Sequence, residues 1–246
     1  MNENNRSLRS TKLMRISSLD RNDKKTDNQY DFSVSFNDSD LSQVKRVVLK
    51  SVIIPNTSYN INTTNNTIFY DSSSLTLPVG QYTLSTLITA IENAFSAINV
   101  LTITQDALTQ KLTFTFTSNI VLQSTSTMKY VIGFNDTMTS NTVHVMPNLP
   151  DLTGLKKVFI KSSALSNMTS MSDSSKKHYN IFSEVDITVP FGFVEHRVLS
   201  DLHSSDELTF SQPKNISTID IKLYDQHLNN LDLNGHHIEL IFKIFF

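Results

Sequence analysis

Residues Ile216–Phe246 read ISTIDIKLYDQHLNNLDLNGHHIELIFKIFF and predict two β-strands around a turn. In the first strand Ile219, Ile221 and Leu223 alternate with polar residues, and in the second one face carries Ile238, Leu240, Phe242, Ile244 and Phe246. A period of two places such side chains on one side of a sheet, where a core must cover them. The C-terminus is therefore predicted to be a central strand of an all-β sandwich.

The composition is typical of a folded protein and excludes several classes of functional site. Of its 246 residues 39% are hydrophobic and 18% charged, and the net charge of −2 gives no field that would drive binding to nucleic acid or an anionic membrane. The lack of cysteine excludes disulfides and thiolate sites. The five glycines are isolated, so neither a dinucleotide-binding fingerprint nor a P-loop can be assembled. No apolar run approaches the roughly 20 residues of a membrane helix, and no signal peptide is visible.

The N-terminal residues 1–28 predict an arm. They contain seven basic and four acidic residues and few apolar ones. We expect this arm to be partly disordered, or to become ordered against a partner. Residues 29–246 are predicted to be one domain, since neither a linker nor a repeat divides them.

Alternating residues predict about ten strands in that domain, with one helix among them. The strand candidates are 30–36, 44–54, 68–70, 75–77, 100–104, 111–118, 129–133, 156–161, 179–189, 207–210 and the two C-terminal strands. Thr83 is a candidate N-cap for an amphipathic helix whose apolar stripe is Leu84, Leu87, Ile88, Ile91, Phe95 and Ile98. Residues 135–148 and 162–177 are predicted to be long polar loops. A jelly roll and other Greek-key sandwiches fit this pattern equally.

The sequence predicts no catalytic, cofactor-binding or metal-ligating residues. The histidines are dispersed: His144, His178, His196, His203, His227, His236 and His237. Asn230, Asp232, Asn234 and Gly235 resemble the start of a calcium loop, but its twelfth position is Ile241 instead of a carboxylate. Asn234-Gly235 is better interpreted as a hairpin turn with positive φ. No G-x-S-x-G nucleophile elbow occurs. These features favour a structural or binding protein over an enzyme.

Several phrases, in this order along the chain, resemble the penton (minor capsid, vertex) proteins of virophages, polinton-like viruses and related large DNA viruses. The most specific is LYDQHLNNLDLNG at 223–235. The others are RISSLDRN at 15–22 followed by YDFSVSF, PNTSYNIN at 55–62, LPVGQYTLSTLITAIENAF at 77–95, KLTFTF from 111, IGF at 132–134, PNL at 147–149 and VDITVPFG at 185–192. Ser18 departs from the usual opening phrase, Ile-Asp-Ser-Arg-Asp-Arg-Asn.

The resemblance implies a single jelly roll that forms a homopentamer at the fivefold vertices of an icosahedral virion. Its partners would then be further copies of itself and a double-jelly-roll major capsid protein. The basic arm would contact other capsid proteins or packaged DNA. Such a protein is not an enzyme and needs no cofactor, and it would be assembled inside the host cell, in the cytoplasm or a virus factory.

Two other functions fit the residues. A β-sandwich attachment or carbohydrate-binding protein would need an aromatic platform or a calcium cluster at one loop end. A β-sandwich hydrolase would need two carboxylates converging in a groove.

Overall fold

The computed structural model describes residues 10–24, 28–37, 40–165, 170–172, 178–198 and 207–246, and the protein is all-β. The strands are β1 (Thr11–Ser17), β2 (Asp31–Ser35), β3 (Val44–Pro55), β4 (Thr67–Tyr70), β5 (Ser73–Thr76), β6 (Leu101–Gln105), β7 (Leu112–Leu122), β8 (Met138–Val145), β9 (Lys157–Lys161), β10 (Ser170–Ser172), β11 (His178–Asp186), β12 (Val194–Val198), β13 (Glu207–Lys214), β14 (Thr218–Tyr224) and β15 (Glu239–Phe245). The helices are α1 (Leu84–Phe95) and α2 (Lys129–Ile132), and Ser18–Asp20 form a 3-10 turn. Neither helix has the length and apolarity to cross a membrane, among the residues described.

The C-terminal strand is central, as its alternation predicts. β15 lies between β1 and β3 and pairs antiparallel with both. Leu240, Phe242 and Ile244 are completely buried. The preceding turn is not a hairpin, however, because β14 pairs with β2 and β9 in a different sheet. Alternation specifies which face of a strand is apolar but not which strand pairs with it.

Two five-stranded antiparallel sheets form a jelly roll. The first has the order β1-β15-β3-β12, with β13 also on β3, and the second has the order β10-β11-β9-β14-β2. Along the chain, strands alternate between these sheets, except that β9, β10 and β11 lie in the second and β12 and β13 both in the first. The order 1-15-3-12 over 2-14-9-11 is that of a jelly roll with its two Greek keys. Periodicity left this topology open, and strand pairing decides it.

The jelly roll has its own hydrophobic core between the two sheets. The inward residues of β1, β3 and β15 contact those of β2, β9 and β14. Phe182 and Phe242 meet across this core at a centroid distance of 5.9 Å. Burial of these side chains provides the main favourable free energy of this unit.

A second compact unit, residues 59–154, is inserted between β3 and β9. Its sheet has the order β5-β4-β7-β6, with β8 paired to β7, and helix α1 covers the inner face. Thr83 caps α1 in a capping box with Thr86, as predicted. Leu87, Ile91 and Phe95 of the predicted stripe are completely buried, whereas Ile98 lies beyond the helix end and is exposed.

The chain divides into two compact units, residues 1–58 with 155–246, and residues 59–154. That residues 29–246 form one domain stays a prediction. Residues 11–17 of the predicted arm form β1 and pair with β15 of the same chain, so this part is ordered without a partner. Residues 1–9 and 25–27 of the arm lie outside the described residues. Both units are alternating β-structure, so their strand patterns do not separate them, although residues 59–154 contain only 7 of the 44 charged residues of the chain.

Three local predictions are wrong. Residues 129–132 form helix α2 instead of a strand, and Gly133 ends it with a left-handed φ of 98°. The predicted loop 135–148 contains β8. Only His144 of this strand is buried, so the sequence shows no apolar alternation there. The predicted loop 162–177 contains β10, paired with β11.

Candidate functional site

Several of the sequence phrases that resemble penton proteins are joined to one another by hydrogen bonds. Ser17 and Ser18 of RISSLDRN lie beside the start of β15: Ser17 Oγ donates to the Ile238 carbonyl at 3.1 Å, and Ser18 Oγ accepts the Ile238 N–H at 3.2 Å. Asn22 then bonds to β2, accepting the Ser35 N–H at 2.9 Å. This phrase therefore fastens the first strand to the last and directs the chain into the second sheet.

Three further phrases converge at the same end of the jelly roll. Asn56 Nδ2 donates to the Val189 carbonyl at 2.8 Å, and the Asn56 carbonyl accepts the Gly192 N–H at 2.7 Å. Thr57 Oγ1 donates to the Leu233 carbonyl at 2.7 Å, while the Asn234 amide donates to the Thr57 carbonyl. We call Asn56, Thr57, Gly192, Leu233 and Asn234 the loop-end cluster. It joins the connections that leave β3, β11 and β14.

In the inserted unit, two pairs of phrases are likewise joined by hydrogen bonds. Asn60 Nδ2 donates to the Tyr82 carbonyl at 2.8 Å, and Asn60 Oδ1 accepts the Tyr82 N–H at 2.9 Å. The Asn148 N–H donates to the Gly133 carbonyl at 2.9 Å, which joins PNL to IGF. A Cβ on Gly133 would lie 2.3 Å from the Asn148 carbonyl oxygen, so this contact requires glycine.

Within the part of the chain that the structure describes, the candidate chemical residues do not assemble into a site. His144 is buried and its Nε2 lies 2.9 Å from the Ile120 carbonyl, while His196 Nε2 lies 3.1 Å from Ser51 Oγ. Nδ1 of His237 lies 3.0 Å from Ser18 Oγ, and burial, followed by the positive charges of Arg21, His236 and Lys24, lowers the pKa of this imidazole. Among the described residues, no three His, Asp or Glu side chains are arranged to hold a metal ion. His203 lies outside them.

The calcium-loop candidate is a tight turn. Asn234 and Gly235 both have positive φ, at 50° and 81°, as predicted. The Asp232 carboxylate accepts the Asn234 N–H at 2.8 Å and so stabilises the turn. Asp225 acts in the same way on the preceding turn, accepting the His227 and Asn229 N–H groups at 2.8 Å. Both acidic residues of the phrase LYDQHLNNLDLNG thus bind backbone.

The outer face of the second sheet is charged and internally paired. Lys222 bonds to Asp31 at 2.6 Å, and Lys157 bonds to Glu184. Burial acts to raise the pKa of Asp220, but the hydrogen bonds from Ser163 and Ala164 outweigh it and hold this pKa below its ordinary value. These side chains satisfy one another within the chain.

The outer face of the first sheet is more apolar, especially at its two edges. Leu13 on β1 is 68% exposed, and Val194 and Val198 on β12 are 52% and 70% exposed. Ile241 and Phe245 of β15 lie partly exposed between them. The sequence reasoning missed β12, although the alternation in VEHRV is the signal that indicates it. Exposed apolar side chains at two opposite sheet edges are suited to contacts with other protein surfaces.

An open cleft of about 390 Å³ lies on the inserted unit. The residues that line it are Tyr82, Thr83, Leu84, Gln105, Gln110, Leu149, Pro150 and Leu152. None of them is charged. The cleft is therefore suited to a neutral ligand with apolar and hydrogen-bonding parts.

No protein-family model matches the sequence, and a search of curated proteins returns no match. Among solved structures, the chain is similar to the mavirus penton protein, with 11% identity over 96% of this chain and 99% of that one, and a TM-score of 0.48. It is also similar to a chain in the structure of the Sputnik virophage, with 13% identity over 96% of this chain and 97% of the other, and a TM-score of 0.49.

Proposed function

We propose that this protein is a structural protein of a viral capsid and forms the pentameric penton at the fivefold vertices. The observation that supports this most is the jelly-roll order of strands together with the phrases resembling penton proteins, several of which lie at the connections of that fold. These phrases hold backbone in place and carry no reactive group. The proposed role is accordingly not enzymatic, and the protein acts in the virion.

A cyclic pentamer needs two different surfaces on each copy. In a ring, the same head-to-tail contact recurs between neighbours, so one side of each subunit meets the opposite side of the next. β1 and β12 occupy opposite edges of the first sheet, and each presents exposed apolar side chains, Leu13 on one and Val198 on the other. We expect these edges to contribute to the ring contact. The capsid partner would be a double-jelly-roll major capsid protein, which the ring would meet at its perimeter.

The first test is the mass of the purified full chain, measured by light scattering and by native mass spectrometry. A five-membered ring, or a monomer that forms a ring when the major capsid protein is added, is the expected result. A stable dimer under both conditions would contradict a penton. Electron microscopy of purified particles then shows whether the chain is at the vertices.

A pair of edge variants tests the head-to-tail contact. L13D and V198D should each prevent ring formation, because each introduces a charge into one of the two contacting edges. Each chain keeps its other edge intact, so an equal mixture should form a one-to-one heterodimer and nothing larger. L108D is the matched control, since Leu108 is 91% exposed and belongs to the inserted unit and to neither of the two edge strands. If L13D and V198D still form rings while remaining folded, the contact lies elsewhere.

A further inference from the structure

The cleft on the inserted unit has two chemically different walls. One is apolar and contains Tyr82, Leu84 and Leu149, the last being 56% exposed. The other carries the amide side chains of Gln105 and Gln110, which lie at the two ends of the turn joining β6 to β7. A ligand that fits must therefore combine an apolar face with uncharged hydrogen-bonding groups.

The amide wall is held in place before any ligand binds. Gln105 Nε2 donates to Gln110 Oε1 at 3.0 Å and to the Gln110 carbonyl at 3.2 Å. Gln110 Nε2 donates to the Ala107 carbonyl at 2.8 Å. The two side-chain amides are thereby fixed side by side, and their remaining acceptor positions are available to a ligand. Such preorganisation reduces the entropy lost on binding.

The backbone of the same turn is in an unfavourable conformation. Gln110 has a φ of 60°, which a glutamine adopts rarely. The Asp106 carboxylate holds the turn by accepting the Thr109 N–H at 2.6 Å and the Leu108 N–H at 3.1 Å. Glycine would fit this position without strain, so glutamine lowers the stability of the folded chain relative to glycine. What glutamine adds is a side-chain amide in the cleft.

The apolar wall is also fixed. The Tyr82 hydroxyl donates to the Pro78 carbonyl at 2.9 Å, which orients the ring. The backbone of Tyr82 is held by Asn60 through both its N–H and its carbonyl. An aromatic ring oriented in this way beside aliphatic side chains is a suitable platform for the C–H face of a sugar ring.

Charge restricts the ligand further. No Asp, Glu, Lys, Arg or His lines the cleft, and residues 59–154 include only 7 charged residues. Neither phosphate nor a carboxylated sugar would find a counter-charge there. We propose that this cleft binds an uncharged carbohydrate, with one sugar face on Tyr82 and Leu149 and its hydroxyl groups on the amides of Gln105 and Gln110. This assignment does not depend on the capsid role, although on a capsid vertex it would serve attachment to a glycosylated surface.

The test is binding of the full-length chain to an array of neutral glycans, followed by titration calorimetry with the best one. Q110G is the informative variant, because glycine removes the amide and relieves the backbone strain together. We expect at least a tenfold loss of affinity with a melting temperature equal to or above that of the unmodified chain. Y82A should also lose at least tenfold, and Y82F, which keeps the ring, should lose less.

The control is L108S, on the same turn but outside the cleft, which should bind as the unmodified chain does. No binding to any neutral glycan overturns the proposal, as does Q110G binding with unchanged affinity. Preferential binding of apolar peptides from a peptide array would reassign the cleft to a protein partner and also overturn it. All these outcomes are independent of whether the chain forms a ring.

Discussion

The jelly roll and the inserted unit are both antiparallel β-structures, but their surfaces differ in charge. Only 7 of the 96 residues at 59–154 are charged, against 37 of the other 150, out of 44 in the whole chain. On the jelly roll, outward residues form ion pairs such as Lys222–Asp31 and Arg15–Glu239. On the inserted sheet, five outward positions of β6 and β7 are threonines: Thr102, Thr104, Thr113, Thr115 and Thr117.

This difference indicates that the two units hydrate their surfaces and protect their edge strands from further pairing in different ways. In the inserted unit, the Glu92 carboxylate of α1 accepts the Ile103 N–H of edge strand β6 at 2.7 Å, which blocks one position where another strand could pair. In the inserted unit, threonine hydroxyl groups hydrate the outer face of the sheet, and the Glu92 carboxylate protects the edge strand. A surface with few charges is compatible with contacts to neutral partners. On the charged sheet of the jelly roll, the charged side chains form ion pairs with one another.

The largest expected effect comes from removing one large side chain from each core. F242A in the jelly roll and F95A in the inserted unit should each cost about 3–5 kcal/mol, because both rings are completely buried. Hydrogen exchange measured residue by residue should show loss of protection in the unit that carries the substitution. Equal loss in both units, from either variant, would contradict the presence of two separate cores.

A matched glycine pair should give the next largest effect. G133A should cost about 2–4 kcal/mol, because its new Cβ meets the Asn148 carbonyl oxygen and its φ is positive. G192A has a positive φ of 87° but no neighbouring atom within 4 Å, so it should cost only about 1 kcal/mol. Urea denaturation measures both, and equal costs would mean that the close approach in the inserted unit relaxes freely.

Asp220 should make the jelly roll sensitive to acid. Its pKa is lowered in the folded state, so its stabilising effect is present above the ordinary carboxyl value of 3.8 and is lost as the pH falls below it. D220N should cost about 1 kcal/mol at neutral pH, since the group is only half buried. The gap between D220N and the unmodified chain should narrow as the pH falls through 4 to 3. A gap that stays constant would show that the charge is not responsible.

The smallest effect is expected on the charged sheet. K222A removes the ion pair with Asp31, and because both side chains are about 40% exposed it should cost about 0.2–1 kcal/mol. The cost should shrink in 1 M salt, where exposed charges are screened. A loss that does not change with salt would indicate packing of the Lys222 hydrocarbon chain instead.

Local patterns predicted most strands of both units correctly. The alternation in 111–118, the cap at Thr83 and the run at 44–54 all became the expected elements. The failures lie where the local signal was weak or ambiguous. β8 has only one residue of its core-facing side buried, and residues 129–132 are a single helical turn too short to show a helical period.

The site was less predictable than the fold. The sequence predicted the positive φ at Asn234 and Gly235, but it gave no indication of the cleft near Tyr82, whose residues come from three separate segments. The strain at Gln110 has no sequence signature, since glutamine is unremarkable in a turn. Only backbone geometry reveals that this position favours glycine.

In the strands that it predicted, the sequence by itself determined which side is buried, because alternation is a local property of the chain. It also placed the turn at Asn234-Gly235, where positive φ is a property of two residues. The tertiary structure alone decided that β14 and β15 belong to opposite sheets and that residues 59–154 form their own core. Strand pairing depends on contacts between residues far apart in sequence, and no local pattern contains that information.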